Sequence, residues 1–266
     1  MNMSTSDTGR RLELAIAVAR EAGRITLQYF RRRDLAVERK GDDSPVTVAD
    51  RQAEEFLRRR VAEAFPDDAI LGEEFPDRPG SSGFRWIIDP IDGTKSFIHG
   101  VPLYGVLVGI EREGEPVAGV DLIPALDECV YAAVGQGAWY VSGGNPPQPA
   151  KVSKCPTLAE ALFLTSEVLS FDAIGRRGVY QRLEAATRLS RTWGDCYGYL
   201  MVATGRADLM VDPVMAVWDA APLLPILEEA GGTFTDWQGR PTIHSGQGIG
   251  TNGCLLDEIL AITREE

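Results

Sequence analysis

Apolar residues recur along this chain with two different rhythms. Between residues 11 and 30, Leu12, Ala15, Ile16, Ala19, Leu27 and Phe30 fall near helical spacing behind several capping candidates, which predicts an amphipathic helix. A polar loop over residues 38–45 follows. A second helix is expected from Thr47, with Phe56, Leu57, Val61 and Phe65 on one face, Thr47 and Asp50 spaced as a capping pair, and Pro66 as its stop. From residue 69 the rhythm shortens. Apolar runs over 69–71, 85–88, 103–113, 116–123, 128–134 and 138–141, separated by turns such as 112–115, predict a meandering and largely antiparallel sheet.

Ser142-Gly143-Gly144-Asn145-Pro146-Pro147 reads as a linker, and divides an N-terminal half, 1–142, from a C-terminal half, 143–266. Beyond it strands and helices alternate. Strands are expected at 162–166, 208–211 and 233–237, and helices at 178–189, 197–204, 219–230 and 255–263, with a short approach at 192–195. That order implies an α/β second half. Gly246-Gln247-Gly248-Ile249-Gly250 lacks the spacing and position of a dinucleotide loop, so no such cofactor is expected.

With 266 residues, 44% of them hydrophobic, the chain has enough material for a large core. A formal net charge of -12 argues against a nucleic-acid partner, and Arg31-Arg32-Arg33 reads as the solvated end of a helix. No apolar run reaches the roughly 20 residues of a membrane helix, and the first residues are polar, so a soluble cytoplasmic protein is expected. Four cysteines without a CxxC pair are expected to be reduced and buried. The two histidines have no partners at zinc spacing, and His99 is read as structural or as a support behind the metal-binding acids rather than as a ligand.

The chemistry concentrates in Trp86-Ile87-Ile88-Asp89-Pro90-Ile91-Asp92-Gly93-Thr94. A turn and a helix cap need one acid; two acids at the mouth of an apolar strand are unfavourable unless a cation joins them. Oxygen donors suit Mg2+, and Asp89, Asp92 and the Ile91 carbonyl offer three. Thr94 and Lys95 would open a short helix whose free N–H groups suit a phosphate. Gly72-Glu73-Glu74 at a strand exit and Trp218-Asp219 at a helix start place further acids in similar settings. Taken singly, these are surface charge and an N-cap.

These three motifs, in this order, resemble the inositol monophosphatase family of magnesium-dependent, lithium-sensitive phosphomonoesterases, from the first helix to Leu256. Ala221 departs from the family's usual Gly, and slightly altered helix packing is expected there. The resemblance implies a layered αβαβα sandwich, classed between α+β and α/β, with the site between the halves. It implies one Mg2+ on Glu73, Asp89 and the Ile91 carbonyl, a second among Asp89, Asp92 and Asp219, and a weaker third on Glu73 and waters. Glu73 and Thr94 would orient and deprotonate the attacking water, Asp50 would hold Thr94, and Lys40 would counter charge at the entrance. No covalent phosphoenzyme is implied. A homodimer is expected by analogy.

Substrate contacts are assigned to Asp92, Gly93, Thr94, Gly194, Asp195, Asp212 and Asp219. Asp195 and Asp212 fall where the family meets the organic part of its substrate, and two acids suit a cationic leaving group. Trp193-Gly194-Asp195-Cys196-Tyr197-Gly198-Tyr199 and Lys95-Ser96 resemble the histidinol-phosphatase branch, which implies L-histidinol phosphate as substrate and a step of histidine biosynthesis. The alternatives are an inositol-1-monophosphatase or broad sugar phosphatase, and a non-catalytic metal-binding protein on the same fold. The bisphosphate and nucleotide branches usually carry longer insertions, for which this compact chain leaves little room.

Overall fold

The computed structural model describes residues 7–41 and 45–264. The first half runs α1 (Asp7–Leu27), β1 (Val37–Arg39), β2 (Pro45–Thr47), α2 (Val48–Ala64), β3 (Ala69–Gly72), β4 (Phe84–Asp92), α3 (Thr94–Ile98), β5 (Gly105–Arg112), β6 (Glu115–Ile123), β7 (Glu128–Ala133), β8 (Ala138–Ser142) and β9 (Gln148–Pro149). The second runs β10 (Leu162–Leu164), α4 (Val168–Ala173), α5 (Arg177–Ala186), β11 (Leu189–Arg191), α6 (Cys196–Ala203), β12 (Leu209–Asp212), α7 (Val217–Ala220), α8 (Leu223–Glu229), β13 (Thr233–Thr235), β14 (Gly248–Thr251) and α9 (Leu256–Arg264).

Strands β3 to β9 lie in sequence order in one sheet, antiparallel except where β3 runs beside β4. A second sheet has the order β11-β10-β12-β14-β13; its first three strands are parallel, and β14 opposes both neighbours. Alternation along β4 and β5 sends Trp86, Ile88, Val106, Val108 and Ile110 towards α1 and α2, and Ile87 and Leu107 to the opposite face. Both faces are covered, which is why these strands read as continuous apolar runs.

Three cores alternate with the two sheets. The first packs α1 and α2 on the outer face of the large sheet. The second fills the space between the sheets with α6 and α8. The third packs α4, α5 and α9 on the outer face of the small sheet through Phe171, Val179, Leu183 and Ile259. The result is the expected αβαβα sandwich. Asp68 fastens α1 to the large sheet: its buried carboxylate accepts from Arg11 (2.7 Å, twice), Ser82 (2.6 Å) and Trp86 (2.8 Å), so the buried charge is paired and fully hydrogen-bonded.

Several elements depart from the sequence reading. The expected helix over 219–230 is two helices, because Pro222 has no amide hydrogen to continue the ladder. Ala221 is buried against Gly109, whose lack of a side chain accommodates it. Residues 248–251 form a strand, and Gly248 and Gly250 are small there so that Met215, Tyr199 and Leu227 can approach. Strand β9 belongs to the large sheet although it lies past residue 142, and the core between the sheets draws on both halves. Helix α1 stops at Leu27, so the arginine triplet lies beyond it; Arg31 (φ 62°) donates to the Gly100 carbonyl. Strands β1, β2 and β11 and helix α4 had no sequence counterpart. Cys129 and Cys196 are buried, but Cys254 is exposed, contrary to expectation; all four thiols are free. The capping candidates before Asp7, and residues 42–44 of the polar loop, lie outside the described residues. No helix among the described residues is long and apolar enough to cross a membrane.

The middle helical layer sits so close to β6 that a methyl group on Gly119 would collide with the Pro222 backbone. Gly119→Ala is expected to destabilise the fold by about 2 kcal/mol and lower Tm by roughly 5 °C. Gly144→Ala, where an added methyl meets nothing within 4 Å, is the control and should leave Tm unchanged. Equal melting curves for the two variants would refute the close packing.

Candidate active site

Asp89 pairs with Leu107 and Asp92 with Gly105, so β4 carries one more residue than β5 across this interval. The extra residue makes a bulge, a position where Pro90 is tolerated because no ladder donor is required of it. In a regular strand, residues three apart point to opposite faces. The bulge turns both acids towards α7. The Ile91 amide donates to Asp89 Oδ1 (2.9 Å), and the Ile91 side chain anchors the turn in a small cluster with Ala49, Phe97 and Tyr104. Gly93 then turns left-handed (φ 79°) to start α3, whose first N–H groups have no side-chain cap; Thr94 Oγ1 donates to the Ile91 carbonyl (3.1 Å).

Asp219 is the third residue of α7 rather than its N-cap, and its carboxylate accepts from the Ala216 amide (2.7 Å). One oxygen from each of Asp89, Asp92 and Asp219 lies within 4.8 Å of the others. Among the described residues, no lysine or arginine forms an ion pair with any of them. Burial, reinforced by the charges of Glu73, Asp92 and Asp219, pushes the Asp89 carboxyl well above its ordinary pKa. Burial also raises Asp92 to about 7, with Asp219 adding to the effect. Asp219 likewise rises to about 7 through burial and neighbouring acids, against the pull of the Ala216 amide. Three converging hard oxygen donors with no protein cation fit a divalent metal such as Mg2+.

Glu73 lies outside that group of three. Glu54 of α2 pins its loop by accepting from the Glu74 (2.7 Å) and Phe75 (3.2 Å) amides, and a side chain at Gly72 would collide with Glu54. Lys40 Nζ donates to Glu73 Oε1 and Glu74 Oε1, both at 2.6 Å. Burial opposes the charge on Lys40, but these two carboxylates hold its pKa above the ordinary lysine value. The expectation that Lys40 counters acid charge thus acquires defined partners. Asp50 does not hold Thr94 here. Its Oδ2 accepts from Thr47 N (2.8 Å) and Thr47 Oγ1 (2.6 Å), the capping box at the start of α2, and burial raises its pKa to about 6.

A cavity of about 670 Å³ joins the acids to the substrate side, lined by Asp92, Gly93, Thr94, Asp195, Asp212 and Asp219 among others. The three parallel strands β11, β10 and β12 all direct their C-terminal ends to it, the usual place for ligands in such sheets. Gly194 passes so close to Ser166 that no side chain would fit. Asp195 precedes α6 with φ 52° and ψ -153°, a conformation normally reserved for glycine that costs about 1–3 kcal/mol. Its carboxylate lies against Gly93 on the cavity wall, and burial, then Asp92 and Asp212, push its pKa well up. The next amide, Cys196 N, donates to Asp92 Oδ2 (2.6 Å).

Asp212 differs from Asp195 in its surroundings. Its Oδ1 accepts from Thr165 Oγ1 (3.3 Å) and Ser166 N (2.9 Å), and its Oδ2 from Ser166 Oγ (3.0 Å) and Tyr199 OH (3.1 Å). A carboxylate has about four lone-pair sites, and the protein occupies all of them. These donors tie Asp212 into the cavity wall. Ser166 and Glu54 were given no role in the sequence reading, and Tyr199 was quoted there only as part of a motif; Asp121 also went unnoticed, a fully buried acid on β6 with neither oxygen hydrogen-bonded among the described residues. Burial, then the charge of Asp92, favours its neutral form. An acid between Val120 and Leu122 in an apolar strand was its visible signal.

The family model for the inositol monophosphatase family matches residues 8–266. A Chlorobaculum parvum protein named histidinol-phosphatase is 47% identical over 239 residues, 90% of each chain. A Thermotoga maritima protein named fructose-1,6-bisphosphatase/inositol-1-monophosphatase is 32% identical over 257 residues, 96% of each chain. Because that relative is of matching span, compactness does not separate this chain from proteins with bisphosphatase in their name. The crystal structure of an extragenic suppressor protein from Bartonella henselae aligns with a TM-score of 0.88 at 27% identity, covering 96% of this chain and 99% of that one. Motifs, layers and matches agree: the chain belongs to the inositol monophosphatase family of phosphoric monoester hydrolases.

Proposed function

We propose that this chain is a Mg2+-dependent phosphatase that hydrolyses L-histidinol phosphate to L-histidinol and phosphate. The observation that carries the reading is one cavity with Asp92 and Asp219 at one end, the buried Asp89 grouped with them, and Asp195 on the wall beyond. The first group suits metal and phosphate; the second suits a cationic leaving group. The 47% identity to a protein named histidinol-phosphatase supports the substrate. An inositol or sugar phosphate is the second reading, favoured by the name of the Thermotoga maritima relative.

Asp89, Asp92 and Asp219, with the Ile91 carbonyl and Glu73, are the residues that would hold two or three Mg2+ ions. Bound Mg2+ supplies Lewis acidity and a more acidic water at neutral pH. The remaining work falls to the chain. Gly93 and the uncapped start of α3 receive the phosphate. Glu73 takes the proton of the attacking water, with Thr94 orienting it, after exchanging its bond to Lys40. Water oxygen bonds to phosphorus as the ester P–O bond breaks, the leaving alkoxide takes a proton from solvent water, and Glu73 returns its proton to solvent. Asp195 pairs with the ammonium or imidazolium of the alcohol. We further propose a cytoplasmic homodimer; four free thiols fit a reducing compartment.

The primary test is phosphate release from a panel of esters with and without Mg2+. Histidinol phosphate should lead inositol 1-phosphate and glycerol 2-phosphate in kcat/KM; no release from any ester would favour the non-catalytic alternative. Asp89→Asn should lower Mg2+-dependent turnover by roughly a hundredfold or more with the fold intact. Asp195→Asn should lower kcat/KM for histidinol phosphate by about 10- to 100-fold and spare the neutral esters; equal losses across the panel would refute charge pairing.

Metal binding also predicts a pH effect. Asp92 and Asp219 keep their protons up to about pH 7 in the metal-free fold, against 3.8 ordinarily. The folded state therefore binds the extra protons, and their stabilising contribution is present below about pH 4 and lost as pH rises through about 7. Mg2+ competes with those protons, so its effect on Tm should be larger at about pH 8 than at about pH 5. Equal Tm gains at both pH values would contradict the assignment.

A further inference from the structure

We infer that Ser166 is the positioning residue that aims Asp195 at the cationic leaving group, acting through a hydrogen-bonded bridge to Asp212. Ser166 follows β10 at the C-terminal edge of the small sheet. Its amide donates to Asp212 Oδ1 (2.9 Å) and its hydroxyl to Asp212 Oδ2 (3.0 Å). The same hydroxyl oxygen accepts from the Asp195 amide (3.0 Å). One serine thus spans the two acids of the wall. Tyr199, one turn into α6, closes the circuit by donating to Asp212 Oδ2 (3.1 Å).

Asp195 needs such a tie. Its backbone occupies a conformation that L-residues rarely adopt, which persists only where surrounding contacts over-determine it. Among the described residues, the amide of Asp195 has Ser166 Oγ as its partner. Gly194 permits the contact, since a side chain there would strike Ser166. Ser166 Oγ has its single proton on Asp212 and a lone pair on Asp195 N. The hydroxyl is committed to the wall and leaves substrate contact to the Asp195 carboxylate. Asp212 explains why a serine is used: a buried carboxylate fixes the direction of the hydroxyl proton, and so turns a lone pair towards Asp195.

This inference rests on the histidinol-phosphate reading, and the experiment separates the two. Steady-state kinetics of the full chain with Mg2+ are measured on histidinol phosphate and on glycerol 2-phosphate. If wild type shows no preference for histidinol phosphate, the substrate reading and the inference fall together, before any variant is made. If the preference exists, Ser166→Ala should raise KM for histidinol phosphate about tenfold, with kcat and the glycerol 2-phosphate parameters changed less than about twofold. Ser166→Thr, which keeps the hydroxyl, should restore KM to within about threefold of wild type. In an Asp195→Asn background, Ser166→Ala should have under about twofold further effect, because the carboxylate it aims is gone. A merely structural serine would produce parallel losses on both esters, or additive losses in the double variant, and either result overturns the inference. Ser166→Cys, similar in size but a weaker hydrogen-bonding group, is read in parallel with the melting curves so that the comparison survives if Ser166→Ala does not fold; wild-type kinetics in both would also overturn it.

Discussion

Repulsion among buried carboxylates is the constraint around which this molecule is arranged. Asp89, Asp92 and Asp219 converge from a strand, its bulge and a helix on a different part of the chain. Among the described residues, no lysine or arginine pairs with them. They are held by backbone amides: Ile91 on Asp89, Cys196 on Asp92 and Ala216 on Asp219. Each amide is partial positive charge in a fixed position, which orients an acid without occupying its remaining oxygen. The same device is carried further at Asp212, where protein donors fill every acceptor site. The difference between a carboxylate that is oriented and one that is saturated separates the acids suited to a ligand from the acid that builds the wall.

The middle helical layer makes that convergence possible. Helices α6 and α8 lie between the two sheets and touch both, and α7 packs on β4 and β5 of the large one. Asp219 comes from α7, the amide that orients Asp92 from α6, and Asp92 itself from the large sheet. Glycines at 109 and 119 bring Ala221 and Pro222 down onto that sheet, and glycines at 248 and 250 bring Tyr199 and Leu227 against the small one. Shape complementarity in the core and geometry in the site are one requirement, because a shift of this layer displaces an acid.

Much of this was legible because it is local. The capping box at Thr47 and Asp50, the alternation in β4 to β8, and the clash of apolar strand with paired acids around Pro90 all lie within short windows. What was hidden depends on distant approach. The role of Ser166 requires knowing that residues 195 and 212 arrive beside it. Glu54 looks like an ordinary helix acid until the loop after Gly72 folds over it. Strand β14 was not expected because Gly248 and Gly250 leave room for Tyr199 and Met215, which no local pattern displays. The surroundings of Asp212 were hidden for the same reason: the sequence displays the acid but not the four donors it gathers.

The layered order also has a consequence for biosynthesis. Every strand of the large sheet has been made once residue 149 is complete, and one face is covered at once by α1 and α2. The other face stays bare until residues 196–229 emerge with α6, α7 and α8. A nascent chain therefore exposes a broad aliphatic surface for several seconds at ordinary translation rates, roughly 5–20 residues per second. Until those helices are made, the aliphatic side chains of that face lack their cover, which makes an incomplete chain more prone to self-association than the finished fold.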